Sequence, residues 1–172
     1  MSNVMETVLP LERLGRCALL AWEHAVAARN EAPDDRKRPA IMTGHILLGV
    51  LQEPKCAGGL ILRKMGLDLE LATDTTRFTL FYGRHPDGIL GEIMDWQGEP
   101  HTPAGLISIE YALEEANLFH PSYPIGTEHL LLGLLRANQS MASSLLEYFG
   151  VTHQAARAAR DMLWERLKVA ES

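Results

Sequence analysis

Leu106, Ile109, Leu113 and Ala116 are spaced three and four residues apart, which places them on one stripe of an amphipathic helix. Thr102-Pro103 supplies its start: a hydroxyl to cap the first turn, then a proline where a missing N–H costs nothing. The two prolines of HPSYP, at 120–124, cannot continue a helix and end this one. A second run follows with Thr127 as its predicted cap and Leu131, Leu134 and Leu135 on one face. Ser140 opens a third helix that Gly150 closes, glycine being the usual residue just past a helix end. Thr152 opens a fourth, through QAARAARDMLWERLKV.

The first half of the chain repeats this plan. Its predicted helices lie near 10–29, 44–53, 56–65 and 68–80, with Pro10 and Asp68 as start signals. IMTGHILLGVLQE at 41–53 returns as IGTEHLLLGLLRA at 125–137. Thr43, His45, Gly49 and Gly66 thus recur 84 residues later as Thr127, His129, Gly133 and Gly150. LILRKMGLD (60–68) answers SLLEYFGVT (144–152) without a gap. Upstream, AWEHA (21–25) matches ALEEA (112–116) at an offset of 91, which puts about seven extra residues into the first copy, within NEAPDDRKRPA. A glycine inside a helix costs about 1 kcal/mol against alanine. Its recurrence at Gly49 and Gly133 therefore predicts a close helix crossing with no room for a side chain.

Alternating β-branched runs are absent, so no strand is expected. YGRHPDGILGEIMDWQGEP, at 82–100, reads as a linker that Ile89, Ile93 and Trp96 could anchor. The predicted fold is all-α: two tandem four-helix units, about eight helices, packed about a pseudo-twofold axis. Repeat 1 spans about 9–81, the linker 82–101 and repeat 2 about 102–170. Units this small are marginal alone, so 1–172 is read as one domain.

Composition narrows the function. The chain is 47% hydrophobic and 22% charged, an ordinary globular balance. Its net charge of -6 argues against nucleic acid, since phosphate backbones need a basic surface. The compact basic cluster DDRKR (34–38) is diluted by Asp34 and Asp35. No apolar run is long enough to span a membrane, and MSNVMETVLP lacks the pattern of a signal peptide. Cys17 and Cys56 lack C-x-x-C spacing and read as free buried thiols of a cytoplasmic protein.

The chemistry-bearing residues are few. No histidine pair has metal-ligand spacing with a nearby acid, and His45 and His129, at equivalent positions, read as packing or hydrogen-bonding residues. Glu114 and Glu115 fall on a helix expected to expose them. No G-x-S-x-G elbow and no Cys–His arrangement of a known kind occurs. Neither an enzyme, a metal nor a cofactor is expected. Trp22, Trp96 and Trp164 read as core or groove anchors.

The doubled unit, with GTEHLLLGLL and then a helix ending LLEYFGV, resembles the amino-terminal domain of the Clp AAA+ unfoldases, closest to the class that works with the ClpP protease. The resemblance covers about residues 9–168; the second copy is specific and the first degenerate. No G-x-x-x-x-G-K-[ST] phosphate loop occurs, so ATP hydrolysis of the family kind is not expected. The resemblance implies a free-standing recognition module that binds proteins or peptides, with a Clp ATPase or protease as a further partner. An alternative is a decoy that sequesters ligands or toxic peptides aimed at the parental domain. An adaptor contacts both cargo and machine, whereas a decoy needs only the ligand.

In one branch of that family, each repeat binds phosphoarginine through a threonine that starts its first helix and the glutamate of G-T-E-H. Carried over, the ligand residues are Thr102 and Glu128, with Thr127 beside them. The counterparts in the first copy are Leu11, Gly44 and Thr43, and neither Leu11 nor Gly44 can make those contacts. The resemblance implies at most one phosphoarginine half-site. A first-turn glutamate and a threonine before proline are equally explained by helix electrostatics and capping.

Overall fold

The computed structural model describes residues 10–32, 38–83, 87 and 92–170. A 3-10 turn at Leu11–Arg13 precedes α1 (Arg16–Glu31), α2 (Thr43–Leu51), α3 (Ala57–Lys64) and α4 (Leu69–Tyr82). The second set is α5 (Pro103–Asn117), α6 (Thr127–Arg136), α7 (Met141–Tyr148) and α8 (His153–Ala170). Thr102 caps α5 by accepting from Gly105 N, and Ser140 caps α7 through Ser143 N. Asp68 caps α4 by accepting from Glu70 N and Leu71 N. Pro10 starts only the 3-10 turn; α1 begins later, with Gly15 as its N-cap. Thr127 is not a cap: Gly126 holds that position.

The all-α expectation holds except at one place. A hairpin of β1 (Met94–Trp96) and β2 (Glu99–His101) interrupts the segment between the two helix sets. Three-residue strands are too short to show alternation. The turn signal lay in Gln97 and Gly98, whose φ values of 57° and 77° are what a tight hairpin loop requires. Trp96 is fully buried, edge-on to Trp22, and anchors the hairpin. Ile93 is exposed and anchors nothing, while Ile89 lies outside the described residues.

α2 and α6 form the centre. Every residue of α2 is buried, and in α6 all but Arg136 are. A helix buried on all sides belongs to the core. Gly49 and Gly133 make this possible. A Cβ on Gly49 would collide with the Ala21 carbonyl, 2.7 Å from its carbon, and one on Gly133 would collide with the Ser108 carbonyl oxygen and lie 2.8 Å from Ala112 N. The close crossing read from the sequence is therefore present in both halves.

The same contacts correct the alignment of the first helices. Gly15 N donates to Ile125 O at 2.8 Å, and Thr102 N donates to Ile41 O at 2.9 Å. Ile125 N donates to Arg13 O, and Ile41 N to Pro100 O, each at 2.7 Å. Ile41 and Ile125 are 84 apart, while Gly15 and Thr102, like Ala21 and Ser108, are 87 apart. The first copy thus carries three extra residues, 87 less 84, rather than seven. AWEHA and ALEEA look alike because both are helical, not because they are equivalent. Each half's first helix leans on the strand-like entry to the other half's second helix, so the two sets are interlocked.

Cys17 and Cys56 are not free thiols. They form a disulfide, with Cα atoms 6.2 Å apart, joining the start of α1 to the residue that precedes α3. Their separation of 39 residues carries no motif, so only the fold, which brings the start of α1 to the residue before α3, reveals the pair.

Candidate functional site

Glu128 lies in the first turn of α6, where the helix dipole favours a carboxylate. It is only 4% exposed. Burial, opposed by its own backbone N–H and by the charge of Arg160, holds its carboxyl above the usual range. Among the described residues no cation lies within ion-pair distance of it except His129, at 3.5 Å. That contact is not an ion pair. His129 Nδ1 accepts from Gly126 N at 2.9 Å, which leaves it no proton to offer, and burial depresses the ring's pKa to about 4.

An aromatic cluster packs against His129, the neighbour of Glu128. Tyr123 packs edge-on against His129 at 5.9 Å and against Trp164 at 6.0 Å, with Phe119 5.8 Å from Tyr123. Burial and then the nearby Glu128 charge raise the Tyr123 hydroxyl pKa. Trp164 Nε1 is buried without a hydrogen-bond partner among the described residues. The guanidinium of Arg160 lies over Phe119 at 4.8 Å and is held by Asp161 at 2.8 Å. Of these residues the sequence singled out only Glu128 for ligand binding; the aromatic positions are twenty or more residues apart in places and follow no local pattern.

Thr102 belongs to a different corner. Its hydroxyl donates to Asp87 Oδ2 at 2.6 Å, and Thr43 meets the same carboxylate through its N–H (2.8 Å) and its hydroxyl (2.5 Å). Met141 N adds a longer bond of 3.4 Å to Oδ1. Asp87 is 1% exposed. The sequence reading missed it, since in PDG an aspartate signals only a turn. Thr102 caps the start of α5, whereas Phe119 and Tyr123, beside Glu128, follow its end. Fifteen residues of helix span about 22 Å. The structure therefore does not bring Thr102 and Glu128 into one site.

Thr127, the third ligand candidate, is fully buried and accepts from Gly58 N at 2.9 Å. Thr43 does the same with Ala142 N at 3.1 Å. Leu11 is half-buried against the core, and the hydrogen bonds above make Gly15, not Leu11, the counterpart of Thr102. Gly44 leaves no opening: a Cβ there would lie 2.5 Å from Met141 Sδ and 2.9 Å from Leu80 Cδ2. Each corner thus keeps one residue of the threonine–glutamate pair, Thr102 opposite Gly44 and Glu128 opposite Gly15.

Glu115 departs from expectation in another way. It is 1% exposed and bonded to Arg157 at 2.9 Å, with His153 at 3.3 Å and Arg136 at 3.4 Å. Burial alone would raise its pKa, but Arg157 and His153 together hold it below the usual value. A carboxylate so compensated is a strut rather than an acid–base group. His45 and His129 are structural as well: each accepts from the N–H three residues before it. No group of metal-ligating side chains forms among the described residues, and none of their helices is long and apolar enough to cross a membrane.

Residues 104–172 match the family described as the Clp repeat (R) N-terminal domain. Over 117 residues, 68% of the chain, it is 31% identical to the chaperone protein ClpB of Oceanobacillus iheyensis. Over 118 residues it is 29% identical to the ATP-dependent Clp protease ATP-binding subunit ClpC of Staphylococcus saprophyticus. The matched region spans 13% of the length of each relative. The N-terminal domain of the chaperone ClpD from Arabidopsis thaliana superposes with a TM-score of 0.64 at 20% identity, covering 93% of this chain and 97% of that one. A chain from structural work on a malarial protein secretion system gives 0.67 at 14% identity, covering 90% and 96%. With the interlocked helix sets and the recurring threonine and histidine of Thr43/His45 and Thr127/His129, these likenesses make the chain a member of the Clp repeat N-terminal domain family.

Proposed function

We propose that this chain is a non-catalytic recognition module that binds protein or peptide ligands of the Clp unfoldase–protease system, in the manner of an adaptor. The observation that carries this reading is the Glu128 carboxylate, buried in the first turn of α6 with its charge unmatched by any close cation among the described residues. Tyr123, whose hydroxyl feels the Glu128 charge, packs against Phe119 and Trp164, and Trp164 brings an indole N–H without a partner among the described residues. A guanidinium suits such a place, since it forms charge-assisted bonds to carboxylate and stacks on aromatic faces. The ligand is then an arginine side chain of a captured protein, plain or phosphorylated. Phe119, 48% exposed, and Leu118, 67% exposed, supply apolar contact surface next to it.

The test is a titration of the chain with a phosphoarginine peptide and with its unmodified arginine twin, alongside Glu128→Gln. Binding near one equivalent that the variant loses supports the reading, and preference between the peptides decides whether the phosphoryl group is recognised. Equal, weak binding by both proteins would retire Glu128 as a ligand residue. Co-purification scored for Clp ATPase or protease subunits separates an adaptor from a decoy.

A further inference from the structure

We propose that a cavity in the first helix set, between α1 and α4 and over α2, binds a free α-amino acid with an apolar side chain. Its ammonium pairs with Glu31 and its carboxylate with Arg77. The cavity shares no residue with the Glu128 site, so the two readings stand or fall separately.

The second half of the chain shows one way to fill this place. There Glu115 on α5 reaches Arg157 and His153 of α8 and Arg136 of α6, and Phe119 lies under Arg160. These side chains bridge the gap between the first and fourth helices of the set. In the first half Ala28 and Ala32, 87 residues earlier, stand in the places of Glu115 and Phe119. Gln52, Thr73 and Thr76, 84 residues earlier, stand in those of Arg136, Arg157 and Arg160. The two threonine hydroxyls turn back onto their own helix, donating to Leu69 O and Ala72 O. All five side chains are smaller, and the gap stays open as a cavity of about 420 Å³. That volume falls in the range of small-molecule sites, about 300–1,000 Å³.

The lining selects the class of ligand. Ala27, Ala28, Ala32, Leu48 and Phe81 make an apolar trough. Opposite charges line it from two helices, Glu31 on α1 and Arg77 on α4. They do not pair with each other, and neither forms an ion pair among the described residues. Both stand at the Ala32 end: Glu31 precedes Ala32, and Arg77 follows Thr76, whose counterpart Arg160 meets the counterpart of Ala32. His24 lines the trough seven residues, about 10 Å, back along α1. Glu53 holds His24 at 3.0 Å, so the unpaired charges are confined to one end. An anion alone would meet Glu31 there, and a cation alone would meet Arg77. A ligand carrying both charges side by side satisfies the pair. An α-amino acid carries them on one carbon, with a side chain to follow the alanines.

The experiment adds leucine, methionine or phenylalanine to the full chain and follows the backbone amide of Ala28 and the side-chain amide of Gln52. At least one of the three should give saturable shifts. Its N-acetyl form lacks the ammonium and its amide lacks the carboxylate. Each should bind about threefold or more weaker, the scale of a partly exposed ion pair. Glu31→Gln should erase the difference between the amino acid and its N-acetyl form, and Arg77→Gln that between the amino acid and its amide. Ala28→Leu puts a side chain into the cavity and should abolish the shifts at Gln52. Should Ala28→Leu not fold, the variants at the exposed Glu31 and Arg77 decide the question. The proposal is overturned by the absence of saturable shifts, by equal binding of the amino acid and both derivatives, or by binding retained in a folded Ala28→Leu. Tighter binding of a glycyl-leucyl-glycine peptide than of leucine also overturns it and assigns the cavity to a peptide chain.

Discussion

The hydroxyl of Thr127 accepts from the N–H of Gly58, which ties the first turn of α6 to the first turn of α3 in the other helix set. Thr43 and Ala142, each 84 residues away from its counterpart, make the same bond in the opposite direction. The two halves are therefore stitched by reciprocal bonds, which explains the recurrence of threonine at these positions better than ligand binding does. Thr127→Val should cost about 1–3 kcal/mol, the penalty of leaving a buried N–H without its acceptor. Thr43→Val should cost more, because that hydroxyl also holds Asp87. Urea unfolding of both variants checks the order; a loss no larger than that of a surface substitution at either site would sink the account.

Gly49→Ala and Gly133→Ala should each destabilise by at least about 3 kcal/mol or prevent folding, because backbone, not a movable side chain, meets the added carbon. The added Cβ would run into the Ala21 carbonyl at Gly49 and the Ser108 carbonyl at Gly133. Gly66→Ala is the comparison: nothing lies within 4 Å of its Cβ, and its cost comes only from a φ of +84°. Thermal melts of the three variants should rank Gly66→Ala as the mildest.

These positions also show how far the sequence could be read. The recurrence of Thr43, His45 and Gly49 at a fixed spacing marks the buried second helices, because residues in a shared packing environment repeat their chemistry. The alignment of the first helices was not legible in that way. Amphipathic helices resemble one another at several registers, and only the backbone bonds of Gly15 and Thr102 select the right one. Glu115 reads as exposed because its partners, Arg136, His153 and Arg157, arrive from two later helices. Asp87 and the Cys17–Cys56 pair have the same origin: contacts between elements distant in sequence leave no spacing signature.

Reduction of Cys17–Cys56 should lower stability by about 2–4 kcal/mol, the range for a cross-link that restricts an unfolded loop of this length. The bond spans 39 residues and joins α1 to the start of α3. A melt with and without a thiol reductant measures the effect, and Cys17→Ser with Cys56→Ser should reproduce the reduced value. A thiol titration of the untreated, unfolded protein should find no free cysteine. Two free thiols there, or a melt indifferent to reductant, would contradict the pairing.

Acid should destabilise the fold well above the carboxylate range, and three histidines account for it. Burial is the main cause that lowers the pKa values of His45, His101 and His129 to about 4 from the ordinary 6.5. As pH falls below about 6.5, the unfolded chain takes up protons that the native chain refuses, so stability declines until about pH 4. Each ring contributes a loss of up to about 3 kcal/mol across that window. Glu128 acts in the opposite sense: its raised native pKa means the folded chain holds a proton the unfolded chain has lost, so acidification favours the fold. His129→Gln keeps an acceptor for Gly126 N, as glutamine does in a capping box, and should flatten the decline between pH 6.5 and 4. Glu128→Gln should raise the melting temperature at neutral pH and steepen the acid loss, because the opposing contribution is gone. Melting temperatures of wild type and the two variants across pH 4–8 decide the matter; parallel curves for all three would mean that neither group titrates differently on folding.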